Sequence, residues 1–286
     1  MNPYHKLVAD FARLVEDGKS LPLGTFEKPA RPAPADDAPR VLIFSPHPDD
    51  ECIIGGLALR LMKQSGKRVI NVAVTQGSAP ARQQPRFEEL GAACDYLGFE
   101  LVQIGDHGLD KIKTQTRENE PELWAESVKA IEDILAEHKP HTILFPHDSD
   151  WNSTHIGVHH LVMDALASLP DDFSCHLVET EFWGAMDDPN LMVELSNEDL
   201  GELLTALTFH VGEVSRNPYH LLTPAWMQDN VRRGGELVCG QGNAPPVFMF
   251  ASCHRLRKWS DGQAARYFEG GKTLAQDDDP LTLFTG

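Results

Sequence analysis

Six consecutive residues, Pro46-His47-Pro48-Asp49-Asp50-Glu51, set one histidine beside three carboxylates, the side-chain types that bind divalent metals or move protons. Part of this run has a plainer account, since acidic residues that open a helix cap it and complement its dipole. That account leaves His47 unexplained, because a histidine held between two prolines at a strand end has little conformational rationale. Taken together the run reads as a metal loop presenting a histidine and a carboxylate. A second group, Asp148-Ser149-Asp150-Trp151-Asn152-Ser153-Thr154-His155, follows another apolar stretch and offers a further histidine. A His, Asp, His set leaves one coordination position open for water, which separates a catalytic centre from a closed structural one. A neighbouring carboxylate outside the ligand set can then take a proton from that water. His159, one helical turn past His155, is the alternative third ligand. The remaining histidines, among them His107, His147, His160, His210 and His220, read individually as structural. A Gly-x-Ser-x-Gly elbow, an HExxH helix, a Walker loop and a dinucleotide fingerprint are all absent from the sequence.

Both loops need a scaffold, and the apolar pattern describes one. Val41 to Ser45 is a short unbroken apolar run, as in a strand buried on both faces, and Ile53 to Met62 follows as a helix. The unit repeats: Val69 to Thr75 predicts a strand, Gln76-Gly77-Ser78 a turn, and Arg86 to Leu97 a helix stopped by Gly98. Leu101 to Ile104 predicts a third strand. Pro121 to Lys139 predicts a long amphipathic helix, then come a strand at Thr142 to Phe145 and a helix from about His155 to Leu169. The fold class is therefore α/β, a mostly parallel Rossmann-like sheet flanked by helices on both faces, with right-handed crossovers. In such sheets ligands bind beyond the carboxyl ends of the strands, where both loops fall. The Gly55-Gly56 pair fits close helix-to-sheet packing better than phosphate contact.

Residues 1–39 read as an amphipathic helix, with Leu7, Val8, Phe11, Leu14 and Val15 on one side, and a proline-rich connector at Pro29 to Pro34. Residues 40–270 read as one catalytic α/β domain. Its less regular C-terminal extension has a strand at His176 to Phe182, helices at Glu198 to Phe209 and Ala225 to Leu237, and a late apolar run at Val247 to Ala251. Residues 271–286 read as a tail, solvated over Gln276 to Pro280.

With 43 acidic against 25 basic residues the chain carries a formal charge of −18, which repels phosphate backbones and anionic membranes at long range. Nucleic acid is thus excluded as a partner, and a neutral or cationic small molecule suits the field. No apolar run reaches the roughly 20 residues that cross a bilayer, and no secretion signal is evident, so a cytoplasmic protein is expected. The five cysteines include no CxxC pair and read as reduced thiols. A homo-oligomer is compatible with the sequence.

The run Pro-His-Pro-Asp-Asp-Glu after an apolar strand resembles the PIG-L or LmbE-like N-acetylglucosaminyl deacetylases. The likeness extends to Arg86 with Glu88-Glu89-Leu90, Ala92-Ala93 and Leu97-Gly98, and to Thr154-His155 with Gly157, Val158 and Leu161, so it runs from about Arg40 to Leu169. It implies that His47, Asp50 and His155 bind zinc, that Asp49 is the general base, and that Arg86 and Asp106 contact an N-acyl amino sugar. Ferrous iron also suits such a ligand set. The implied reaction is direct hydrolysis of the amide by water. One position departs from the family pattern: its second motif commonly reads His-Pro-Asp-His, whereas this chain has Asn152-Ser153-Thr154-His155. Asn152 donates a hydrogen bond but carries no proton to transfer, which makes it a neutral oxyanion donor with His210 as the candidate acid. The same departure keeps open hydrolysis of another small amide conjugate, or a non-catalytic sugar- or metal-binding descendant.

Overall fold

Val41 and Ile43 enter one apolar core, Leu42 and Phe44 another, so the strand they form, β1 (Arg40–Ser45), is covered on both faces. An unbroken apolar run of strand length requires this. The computed structural model describes residues 2–285 and places β1 in a sheet of nine strands among those residues. Before it stands α1 (Pro3–Gly18), and after it come α2 (Asp50–Ile54), α3 (Gly56–Ser65), β2 (Arg68–Ala73), α4 (Pro80–Leu97), β3 (Glu100–Gln103), α5 (Thr114–Asn119) and α6 (Pro121–His138). The chain continues through β4 (Thr142–Pro146), α7 (Ser153–Ser168), β5 (Cys175–Thr180), β6 (Leu191–Leu195), α8 (Asn197–Leu207) and α9 (Val211–Val214). It ends with α10 (Thr223–Leu237), β7 (Phe250–Ser260), β8 (Gln263–Arg266) and β9 (Lys272–Leu274).

The sheet order is β3-β2-β1-β4-β5-β7-β6-β9, with β8 paired to β7. From β3 to β5 every pairing is parallel, whereas β7 runs antiparallel to β5, β6 and β8. Helices α2, α3, α4 and α8 cover one face and α6 and α7 the other, which is the mostly parallel α/β architecture expected from the pattern. The order reverses between the neighbours β1 and β4, and a crevice forms at such a switch point.

Several boundaries differ from the sequence reading. The helix expected at Ile53 to Met62 is two helices, α2 and α3, meeting at Gly55. A Cβ on Gly56 would lie 2.7 Å from the Leu195 side chain on β6, so this glycine does serve helix-to-sheet packing. Helix α4 starts at Pro80, six residues before Arg86, and β6 had no counterpart in the apolar reading. The late apolar run at Val247 to Ala251 gives way to an eleven-residue strand, β7, that begins only at Phe250.

Residues 271–285 are docked on the domain and do not form a free tail, although Asp277, Asp278 and Asp279 stay exposed. Strand β9 pairs with β6, and Leu274, Pro280 and Leu283 are buried. The fully buried Arg60 donates to the backbone carbonyls of Glu194, Leu274, Ala275, Gln276 and Asp278 at 2.7–3.3 Å. Polar anchoring of this kind leaves no apolar periodicity to read. At the other end, α1 meets the body through Gly18 against Leu221 and leaves Tyr4, Leu7, Val8, Phe11 and Leu14 exposed. No helix among the described residues is long and apolar enough to cross a membrane.

Candidate metal centre

The loop after β1 and the loop after β4 meet at the switch point, and three side chains converge there. His47 Nδ1 lies 3.2 Å from His155 Nε2, and Asp50 Oδ2 lies 3.5 Å from the first and 3.4 Å from the second. His47 is partly exposed while Asp50 and His155 are fully buried, so the cluster reaches solvent on the His47 side. Asp50 Oδ2 also accepts the His47 backbone N–H at 2.8 Å, which closes the loop on itself. The other oxygen, Asp50 Oδ1, is buried with no hydrogen-bond partner. An orphaned buried carboxylate oxygen is costly unless something else satisfies it. Burial would raise the Asp50 carboxyl, but the rings of His155 and His47 outweigh it and hold Asp50 below the usual carboxylate range. Burial would likewise lower His155, yet Asp50 and Asp150 bring it up to about 10, the mark of a pocket that favours a cation. His159 is not part of the cluster: its Nδ1 lies 3.0 Å from the Pro146 carbonyl and 3.4 Å from Glu179.

Asp49 adopts φ 116°, a left-handed conformation rare outside glycine that costs roughly 1–3 kcal/mol. This turn directs its carboxylate away from capping α2. Asp49 Oδ2 accepts the Tyr219 hydroxyl at 2.5 Å, and the Asp49 backbone N–H donates to Glu51 Oε2 at 3.0 Å. Burial, and after it the charge of Asp50, raise the Asp49 carboxyl to about 7. Glu51 starts α2 as expected, but it is fully buried and lies 2.7 Å from His210 Nε2. His210 has no solvent exposure, so it stands behind Glu51 and not on an open surface.

Asn152 is the N-cap of α7, its Oδ1 accepting the Thr154 N–H at 2.8 Å. The cap fixes the first turn that presents His155. Asp150 supports the same ring, lying 3.5 Å from His155 Nδ1 while accepting the N–H groups of Asn152, Trp183 and Gly184. Arg86 donates to the Pro48 carbonyl at 3.0 Å and lies 3.6 Å from Glu213. Asp106 sits on the exposed loop after β3, and among the described residues its side chain makes no hydrogen bond or ion pair with the cluster. A polar cleft of about 530 Å³ opens beside His47, lined among others by Thr75, Ser78, Asp110, Lys113 and Thr154. The structure thus gathers His47, Asp49, Asp50 and His155, with Arg86, Asn152 and His210 close behind and Asp106 apart. Asp150 and Tyr219 escaped the sequence reading. Asp150 lies in the second loop, five residues before the ligand it supports, and its carboxylate type was the available signal. Tyr219 reaches the site from 170 residues away and leaves no local signal.

The family model described as PIG-L, GlcNAc-PI de-N-acetylase, matches residues 42–166. No curated protein sequence matches the chain. Among solved structures the chain is similar to N,N'-diacetylchitobiose deacetylase from Pyrococcus horikoshii, with TM-score 0.57 and 16% identity over 89% of this chain and 92% of that one. It is similar to a zinc-inhibited form of teicoplanin deacetylase, with TM-score 0.55 and 16% identity over 77% of this chain and 98% of that one. It is also similar to 4-carboxy-2-hydroxymuconate hydratase from Pseudomonas putida KT2440, with TM-score 0.54 and 17% identity over 76% of this chain and 95% of that one. One fold therefore hosts more than one reaction, and function has to be argued from the site. The resemblance read in the sequence holds where the three clustered side chains lie, since residues 42–166, with His47, Asp50 and His155 among them, match the PIG-L family.

Proposed function

We propose that this chain is a metal-dependent amide hydrolase that removes an acyl group, in the simplest case acetyl, from the nitrogen of an amino sugar or sugar conjugate. The observation that carries the reading is the triangle of donor atoms, with sides of 3.2, 3.4 and 3.5 Å. A tetrahedral ion with bonds of about 2.0–2.1 Å has ligand-to-ligand edges of about 3.3–3.4 Å, so His47, Asp50 and His155 fit zinc and leave a fourth position open. Ferrous iron suits the same donors. When bound, such a metal supplies a Lewis acid that polarises the amide carbonyl and acidifies water.

The chain's own residues take the remaining roles. Asp49 takes the water's proton on Oδ1, because Oδ2 is held by Tyr219, and returns it to the departing amine. With its Oδ1 committed to the α7 cap, Asn152 turns Nδ2 to the carbonyl oxygen as negative charge develops there. Arg86 fixes the Pro48 carbonyl of the metal loop and contacts the sugar, and Asp106 reaches it from the loop after β3. His210 acts as a positioning residue through Glu51, which holds the strained Asp49 backbone. The deacetylases among the similar structures support an acetylated sugar conjugate as substrate.

Metal analysis of the purified protein, paired with an acetate-release assay on N-acetylglucosamine and its conjugates, tests the reading. Stoichiometric zinc or iron with acetate release is the expected result. The absence of a titratable proton on Asn152 favours one second reading, a sugar- or metal-binding protein without turnover. Bound metal with no release across a broad panel of amides would establish that reading instead.

A further inference from the structure

Trp151 is 81% exposed and Trp183 40% exposed, although tryptophan is ordinarily well covered. Both belong to loops anchored on one buried carboxylate: Asp150 precedes Trp151 in the chain and accepts the Trp183 N–H at 3.2 Å. The two loops touch, since a Cβ on Gly184 would lie 3.2 Å from Trp151 Cδ1. The Trp183 ring meets Tyr219 edge-on, with centroids 5.3 Å apart, and Tyr219 in turn reaches Asp49. Trp151, the Gly184 backbone beside it, Trp183 and Tyr219 therefore line one wall from open solvent to the carboxylate beside the ligand triangle. None of its three rings lines the polar cleft next to His47, so it is a second surface on the same centre.

We propose that Trp151 and Trp183 form a subsite for the flat face of a second ring on the substrate, attached to the acylated sugar as an aryl group or another pyranose. The inference rests on the proposed deacetylation and specifies its substrate class. Aromatic side chains supply rigid apolar area for such a face, and Asp150 holds the backbone of the two loops that carry them by accepting the N–H groups of Asn152, Trp183 and Gly184. A monosaccharide occupies the cleft alone, while a conjugate spans cleft and wall.

Deacetylation rates on N-acetylglucosamine, its phenyl glycoside and di-N-acetylchitobiose test this, measured on the metal-loaded wild type, Trp151→Ala, Trp183→Ala and Trp183→Phe. The wild type is expected to prefer at least one two-ring substrate by about tenfold or more in kcat/KM, mainly through KM. Either alanine variant should bring that ratio to within about twofold, and Trp183→Phe should retain most of it. The phenyl glycoside and the disaccharide, compared with each other, distinguish an aryl from a sugar ring. Saturable quenching of tryptophan fluorescence by phenyl glucosaminide, the product, gives a readout that needs no turnover, and thermal melting confirms that each variant folds. A ratio near one in the wild type, or one unmoved by both alanine variants, overturns the subsite while leaving deacetylation standing. No turnover on any of the three substrates counts against the proposed function instead, and the quenching titration then decides the subsite by itself.

Discussion

Asp49 and Asp50 are adjacent in the chain yet face different tasks, and the positive φ of Asp49 separates them. Asp50 turns back to the two histidines, while Asp49 turns out to Tyr219. The division predicts different losses from neighbouring substitutions. Asp49→Asn should cut kcat by about 10²–10⁴-fold with metal content retained, the range for removing a general base. His155→Ala should abolish both, because it takes one corner from the triangle and leaves Asp50 and Asp150 buried without their shared partner. Metal content by elemental analysis, read beside initial rates, checks the pair; retained metal in the His155 variant would point to His159. At this scale the ligands were legible because His47 lies in the loop directly after an apolar strand, while Asp50 and His155 open the helices that follow two such strands. Tyr219 was not, because a hydroxyl brought in by tertiary folding has no signature in the residues around it.

Helix α7 shows how closely an element must sit to aim a side chain. A Cβ at Gly157 would lie 2.4 Å from the Ile112 carbonyl oxygen and 2.6 Å from its carbon, so the helix rests on the backbone of the cleft wall. Gly157→Ala is expected to destabilise the fold by about 1–3 kcal/mol, the usual cost of overpacking, and to weaken metal retention because His155 lies two residues earlier. Urea denaturation and dialysis against a weak chelator measure the two effects. Central elements such as β1, β4 and α6 were readable because their apolar residues repeat at strand or helix spacing. Strand β7 was not readable, although it lies between β5 and β6, because Arg255 and Arg257 interrupt its apolar pattern. Both pair with the buried Glu179, at 2.7 and 2.8 Å, an arrangement that becomes visible only when the strands are side by side.

For the whole molecule, His47 and His155 lie 108 residues apart, so an ion held by both ties the two loops of the switch point together. Ligand at 100 times its Kd adds about 2.7 kcal/mol to stability, so a strong chelator should lower the melting temperature of the wild type and leave that of His155→Ala unchanged. Acid should act through a different set of groups. Burial, and then the charge of nearby lysines, lowers His141 and His176 to about 4, and burial alone lowers His254 to about 3. Each is depressed below its ordinary value, so the unfolded chain binds these protons more readily. Their contribution is complete above about pH 6.5 and is lost as pH falls toward 4 and below. The urea midpoint should therefore decline over that window, and more shallowly in a His141→Gln, His176→Gln double variant. The C-terminal segment invites a different consequence. Arg60 recognises five peptide carbonyls, four of them within residues 274–278, and none of their side chains, so Ala275 and Asp277, whose side chains are neither in the core nor hydrogen-bonded, can drift in identity so long as the path is kept. Arg60 itself has no such latitude: lysine offers three donors where five acceptors wait. Across a library of substitutions, tolerance should be wide at those two positions and narrow at the buried Leu274 and at Arg60, more than two hundred positions earlier.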